Sequence, residues 1–136
     1  MNKKGFTLVE LLAVIIILGI LATLISPKVV KMLDDAEKKS HKTSIDGLIK
    51  SANYKYSNND IAGITNEDII IDYETKENID YLDYSGDKPK KGKISIKKDG
   101  KIALAINLGD FCYIKDYDTD EIIINEYDEN TCILNN

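Results

Sequence analysis

The sequence predicts an α+β protein, in which one long N-terminal helix packs its second half on a three- or four-stranded antiparallel sheet. Three observations support this prediction. Residues 6–25 are apolar at all but three positions. Apolar residues then recur at helical spacing as far as about Tyr56. Further along, two alternating segments flank Asp99-Gly100, a dipeptide typical of tight hairpins.

Composition limits the classes of function. The 136 residues suffice for one domain of ordinary size, and the net charge is −5. An acidic chain lacks the basic face that a phosphate backbone requires, so we expect no nucleic acid partner. The single histidine, His41, argues against a His-based metal cluster or a Ser-His-Asp triad. We therefore predict a structural protein without enzyme activity or cofactor, with His41 as a solvated surface side chain.

The apolar run is long enough to cross a membrane. Its 20 residues, 6–25, would span roughly 30 Å as a helix. Lys3 and Lys4 precede the run, so the positive-inside rule places the N-terminus in the cytoplasm and the C-terminal domain outside. Glu10 lies near the cytoplasmic end, where the helix dipole favours a carboxylate. The alternative is that Glu10 has a cationic partner provided later.

The helix is predicted to continue well beyond the apolar run. Two groups of apolar residues follow at i, i+3, i+4 spacing, one between 29 and 36 and the other between 45 and 52. We predict one helix from about Phe6 to about Tyr56, bent or weakened near Pro27, with Gly47 as a second candidate position. At about 1.5 Å per residue, its length approaches 75 Å.

Residues 61–92 form a connecting region. Thr65 and Asn66 resemble a helix cap, so residues 68–73 fit either a short helix or an irregular edge strand. Residues 85–92 are typical of a turn. The region also holds three tyrosines, Tyr73, Tyr81 and Tyr84. We expect these rings to cover apolar surface rather than to form a binding platform.

The predicted sheet follows the connecting region. Residues 93–98 and 101–106 alternate between polar and apolar side chains, and the apolar ones share one face. A third strand is predicted at 111–115 and a fourth at 121–125, with Ile122 and Ile124 facing inward. A sheet with one apolar face needs a cover, and the second half of the long helix is the natural one.

Both cysteines lie in the last quarter of the chain. A bond between Cys112 and Cys132 would close a loop of about 20 residues, and the chain-entropy model gives it about 3 kcal/mol. Such a pair fits a disulfide if the domain is exported, and two free thiols are the alternative.

Between the cysteines lies an acidic segment that begins like a calcium-binding loop, with Asp116, Asp118 and Asp120. Position six of such a loop should be Gly and is Glu121, and position twelve should be Glu and is Tyr127. We therefore expect an acidic solvated turn and no metal, and keep calcium as a weak candidate.

The stretch KKGFTLVE and the apolar run behind it, with Gly19 and Pro27, resemble the N-terminal processing signature of type IV prepilins and type II secretion pseudopilins. The shared features are a short basic leader, a Gly–Phe junction, Glu at the fifth residue after it, and the apolar length. The resemblance covers about residues 1–30 closely and the rest only in architecture. It implies a pilin-like fold with a leader (1–5), a transmembrane and filament-core helix (6–27) and an extracytoplasmic domain (28–136).

The same resemblance implies a processing reaction. A prepilin peptidase would cut between Gly5 and Phe6 and methylate the new amino group of Phe6. Glu10 would then pair with this amino group, in a neighbouring subunit or in its own chain. Such a pair would set the filament register, because an unpaired carboxylate in an apolar core is costly. In the family's filaments, the helix between positions that match Gly19 and Pro27 often loosens.

The resemblance makes a structural subunit of a type IV pilus the leading hypothesis. The chain would first be a single-pass protein in membrane lipid and then part of a cell-surface filament. Its partners would be copies of itself, minor pilins and an inner-membrane assembly platform. In many pilins a disulfide clamps the C-terminal loop, as Cys112–Cys132 would here. The alternatives are a pseudopilin of a secretion or competence system and, less favoured, a monomeric single-pass surface protein.

Overall fold

The computed structural model describes residues 5–63 and 67–134. One helix precedes five strands: α1 (Leu8–Ile61), β1 (Ile69–Asp72), β2 (Lys91–Ile96), β3 (Ile102–Leu108), β4 (Phe111–Lys115) and β5 (Ile123–Glu126). This is the predicted α+β, pilin-like arrangement. By their contacts the residues divide into two compact units, Met1–Glu37 and Lys38–Asn136.

The sheet is antiparallel, and each strand pairs with the next in the order β1-β2-β3-β4-β5. It has five strands rather than three or four. The additional strand is β1, so the edge strand is the correct alternative for residues 68–73. Ile71 of this strand is fully buried opposite Ile94, which explains why the segment joins the sheet. The suggested cap, Thr65 and Asn66, lies outside the described residues.

The predicted hairpin is confirmed. In β2 and β3, Ile94 lies opposite Leu104 and Ile96 lies opposite Ile102, so the apolar residues share one face. Gly100 donates its N–H to the carbonyl of Lys97 (2.8 Å) at a φ of 87°, a conformation that favours glycine. Strand β2 begins two residues earlier than predicted, at Lys91, inside the segment taken as a turn.

The helix covers the sheet as predicted within the unit Lys38–Asn136. Ile45, Leu48 and Ala52 of α1 are almost fully buried and belong to the same core as the isoleucines of β2 and β3. The three tyrosines of the connecting region and the two inward isoleucines are partly buried against this core: Tyr73, Tyr81, Tyr84, Ile122 and Ile124. Their predicted packing role is confirmed.

The prediction for His41 was wrong. The side chain is 7% exposed, and its Nδ1 lies 3.0 Å from the hydroxyl of Tyr113 in β4. The physical reason is helical register. Position 41 lies one turn before Ile45, on the stripe that continues through Leu48 and Ala52. Extending that stripe back by four residues would have predicted the burial from sequence.

Candidate processing and assembly site

The predicted cleavage junction lies in front of the helix. Gly5 and Phe6 are exposed and precede the first residue of α1, Leu8. A Cβ atom added to Gly5 would meet none of the described atoms within 4 Å, and the Phe6 ring is 80% exposed. The peptide bond between them is therefore accessible and non-helical, as a protease requires of an extended substrate. The leader lysines, Lys3 and Lys4, lie outside the described residues.

Thr7 and Glu10 form a reciprocal cap at the start of α1. The Oε2 atom of Glu10 accepts hydrogen bonds from the backbone N–H of Thr7 (2.9 Å) and from its hydroxyl (2.7 Å). In return, the Glu10 backbone N–H donates to the Thr7 hydroxyl oxygen (3.3 Å). This is the capping box, in which an N-cap Thr and a Glu three residues later satisfy each other's backbone N–H groups.

Sequence reasoning missed Thr7, although the Thr-x-x-Glu spacing was available to identify it. The cap also gives Glu10 a second role beside the predicted pairing with the amino group of Phe6. The predicted cleavage after Gly5 would leave Thr7 with its backbone N–H, so the capping geometry would be available before and after it. A carboxylate at this position therefore stabilises the first helical turn whether or not a cation is nearby.

The helix behind the cap presents an apolar surface all round. Every large apolar side chain from Phe6 to Leu24 is exposed, with exposed fractions between 45% and 81%. Burying one such side chain is worth about 1.5–3 kcal/mol, and monomeric soluble proteins rarely expose large contiguous apolar patches. This surface requires a cover that the described part of the chain does not provide.

The length and composition of the helical segments bear on whether the chain crosses a membrane. Among the described residues, no single helix meets the requirements for a span, whereas one bent pair of helical segments, 8–24 with 27–61, meets them jointly.

Pro27 lies inside α1 and cannot donate the backbone hydrogen bond that the carbonyl of Thr23 would otherwise accept. Gly19 is exposed, and an added Cβ atom would meet none of the described atoms within 4 Å.

The two cysteines form a disulfide, Cys112–Cys132, across a sequence separation of 20 residues. Cys112 is buried in β4, and Cys132 lies in the segment after β5. The bond therefore ties the C-terminal segment to the sheet.

Breaking this bond is expected to lower the free energy of unfolding by about 3 kcal/mol, because the denatured chain regains the entropy of a 20-residue loop. Urea unfolding of the full chain in detergent micelles, with Cys132→Ser against wild type, measures the loss. Ile133→Ser is a neighbouring control at a half-exposed position and should change stability by no more than about 0.5 kcal/mol. Equal unfolding midpoints for Cys132→Ser and wild type would contradict the expectation.

The acidic segment between β4 and β5 holds Asp116, Asp118 and Asp120. Asp118 is exposed and forms an ion pair with Lys101, with 2.6 Å between Oδ1 and Nζ. The hydrogen bond from Lys101 lowers the pKa of the Asp118 carboxyl. In the described ranges, no three His, Cys, Asp or Glu side chains are close enough together to hold a metal ion.

Comparison with known proteins bears on the N-terminal segment. A family model described as the prokaryotic N-terminal methylation motif matches residues 1–26. No curated protein and no solved structure matches the chain. The matched segment contains the exposed Gly5–Phe6 junction, the Thr7–Glu10 cap and most of the apolar helix. A long helix and an antiparallel sheet follow it in a pilin-like arrangement, so this chain carries the signature of the type IV prepilins and pseudopilins.

Proposed function

We propose that this chain is a structural subunit of a type IV pilus. In this proposal a prepilin peptidase cuts between Gly5 and Phe6 and methylates the amino group of Phe6. The N-terminal helix is held in the membrane until assembly and then packs against other copies in a filament. The observation that carries the proposal is the methylation motif on an apolar helix whose large side chains are exposed from Phe6 to Leu24.

The charge of the first turn supports assembly through this helix. Removal of the leader creates an α-amino cation on Phe6, four residues before Glu10. In an apolar filament core, the cation of one subunit and the Glu10 carboxylate of a neighbour would satisfy each other, whereas either alone would be costly. The proposed role of the chain is structural. Its expected assembly partners are minor pilins and an inner-membrane platform.

Gly19 and Pro27 are proposed to act on the same helix during assembly. Among the described residues, nothing packs against Gly19 closely enough to require glycine, and Pro27 removes one helical hydrogen bond. Both residues lower the cost of loosening the helix between them, which would let it adjust to neighbouring copies.

The processing step predicts the mass of the native N-terminus. Intact-mass and peptide mass spectrometry of the chain purified from its own cells should find a first residue of N-methylated Phe6. A Gly5→Leu variant, which replaces the small residue before the cut, should retain all five leader residues and begin at Met1. An intact Met1 in the wild-type chain would contradict the proposal.

A pilus subunit and a pseudopilin undergo the same processing, so a second measurement separates them. Shearing the cells and imaging the released material should yield long filaments that contain this chain and that disappear when its gene is deleted. Processed chain that stays with the cells, without sheared filaments, would overturn the pilus assignment and favour a secretion or competence pseudopilin.

A further inference from the structure

The segment between β1 and β2 forms a small pocket that the assembly function does not use. Its volume is about 260 Å³, below the ~300–1,000 Å³ of pockets for drug-sized ligands. Such a volume suits one compact chemical group. Its polar lining comes from six residues of this segment: Tyr73, Lys76, Asp80, Tyr84, Lys88 and Lys90. The buried residues Leu82 and Pro89 contribute apolar surface.

The pocket is positively charged on an acidic protein. Three lysines and one aspartate line it, while the chain as a whole has a net charge of −5. Within the part of the chain that the structure describes, none of these lysines has a carboxylate at ion-pair distance. Three lysines outside the pocket are each paired with one: Lys91 with Glu129, Lys93 with Asp72, and Lys101 with Asp118. Unneutralised positive charge in a concave site attracts an anion.

The turn that presents Lys76 is held rigidly. The Oδ1 atom of Asp72 accepts hydrogen bonds from the backbone N–H groups of Glu74 (2.9 Å) and Thr75 (3.2 Å). Its Oδ2 lies 3.0 Å from the Nζ of Lys93. Burial disfavours the charged carboxyl, but the lysine and the two N–H groups outweigh it and lower the pKa of Asp72. Asp72 and Glu77 also exchange two backbone hydrogen bonds of 3.0 Å.

Lys76 itself has an unfavourable backbone conformation. Its φ is 58°, in the left-handed region that non-glycine residues rarely occupy. Asn78, at 54°, is explained by its side chain, which donates to the carbonyl of Ile70 at 2.8 Å. Lys76 is the last residue of the four-residue loop that Asp72 and Glu77 close, and short hairpin loops commonly end on a left-handed residue. The loop geometry therefore fixes the backbone from which the Lys76 side chain projects, and glycine would suit the same backbone.

Two tyrosine hydroxyls add directional hydrogen bonding. Tyr73 and Tyr84 are partly buried and their hydroxyls interact with each other. Burial is the largest cause that raises the pKa of both hydroxyls. The Tyr84 hydroxyl donates to the carbonyl of Asp87 (3.4 Å), so its oxygen remains as an acceptor. Both tyrosines and Pro89 line the pocket.

We propose that this pocket binds an acidic monosaccharide, that is, a sugar ring bearing a carboxylate. The carboxylate would interact with Lys76, Lys88 and Lys90, which are otherwise unneutralised among the described residues. The ring hydroxyls would donate to the tyrosine hydroxyl oxygens and to the carboxylate of Asp80. A simple inorganic anion fits less well, because it brings no hydroxyl groups to donate to the tyrosine oxygens and to the Asp80 carboxylate.

The test uses the full ¹⁵N-labelled chain in zwitterionic detergent micelles, titrated with D-glucuronate and followed by NMR. Saturable shifts of the amides of residues 73, 76, 84, 88 and 90 are expected. D-glucose, which lacks the charge, and inorganic phosphate, which lacks the ring, should both bind at least about tenfold more weakly, since each loses one set of contacts. Absence of saturable shifts with glucuronate would overturn the proposal, and so would equal affinity for phosphate.

Three variants locate the binding. The double variant Lys88→Gln/Lys90→Gln should weaken glucuronate at least about tenfold. The matched control, Lys39→Gln/Lys42→Gln, removes the same charge from exposed positions of α1 and should leave affinity unchanged. Lys76→Gly removes a pocket cation where glycine suits the backbone, so it should weaken binding while the melting temperature stays equal or rises. Equal losses in the pocket and control variants would also overturn the proposal.

Discussion

Glu10→Gln chains are expected to be inserted, cleaved and methylated normally but to be absent from filaments. Glutamine can replace glutamate in a capping box, so the hydrogen bonds to Thr7 would persist. The negative charge would be lost, and the amino cation of Phe6 would have no carboxylate partner in the filament core. An uncompensated charge there costs several kcal/mol for each subunit, which a repeating assembly would not tolerate.

The variant Thr7→Ala distinguishes the capping role of Glu10 from the role of its charge. This variant loses the cap, at about 1 kcal/mol, but keeps the Glu10 carboxylate. We expect its filaments to assemble, at a reduced yield at most. Glu10→Ala and Glu10→Val remove both the cap contact and the charge and should fail as completely as Glu10→Gln.

Immunoblotting of sheared filaments measures assembly in this series, and mass spectrometry of the N-terminus confirms that each chain was processed. If Glu10→Gln assembles as well as wild type while Glu10→Ala does not, then capping is the role of Glu10 and the pairing idea fails. If both assemble, neither role is required.

Gly92→Ala is expected to prevent the unit Lys38–Asn136 from folding stably. Gly92 lies in β2 opposite Ile106, at a φ of 106°. An added Cβ atom would lie 2.2 Å from the carbonyl oxygen of Ala105 and 2.7 Å from the Cα atom of Ile106. Because backbone atoms of a central strand cannot move aside cheaply, the loss should exceed about 4 kcal/mol, out of a typical total stability of about 5–15 kcal/mol.

Gly47→Ala is the matched control for Gly92→Ala. It adds the same methyl group to α1, where the nearest atoms are the carbonyl oxygen of Ser85 at 3.6 Å and the Cβ of Tyr84 at 4.0 Å. This is ordinary contact, and alanine favours the helix by about 0.5–1 kcal/mol. Urea unfolding followed by circular dichroism should therefore give a midpoint equal to or above wild type for Gly47→Ala. An unchanged midpoint for Gly92→Ala would show that the β2–β3 pairing is wrong.

The elements that the sequence predicted accurately are those with a short repeat. Strand β4 was predicted with its observed bounds, Phe111–Lys115, and the hairpin around Asp99-Gly100 was predicted with its apolar face. The helix was predicted to end at about Tyr56 and ends at Ile61. In these segments each residue's conformation follows from its neighbours, because side-chain alternation and turn glycines act over a few residues.

What the sequence left open depended on residues far apart in the chain. Residues 68–73 became a strand because β2, which begins only at Lys91, offered a partner. Helical register accounts for the burial of His41 but not for its partner, because the hydroxyl at its ring belongs to Tyr113, 72 residues away. The three pocket lysines lie in a segment without periodicity, and only the folded chain places them around one pocket.

The N-terminal segment, in contrast, could be interpreted from its local sequence. Residues 1–26 alone carry the prepilin signature and the apolar run, and they predict the processing junction, because each of these is a property of a continuous stretch of chain. Tertiary structure decided what lies behind that segment: five strands instead of three or four, the Tyr113 hydroxyl beside His41, and a charged pocket. Each of these required two segments to meet, and the free energy of such contacts depends on packing that no local pattern contains.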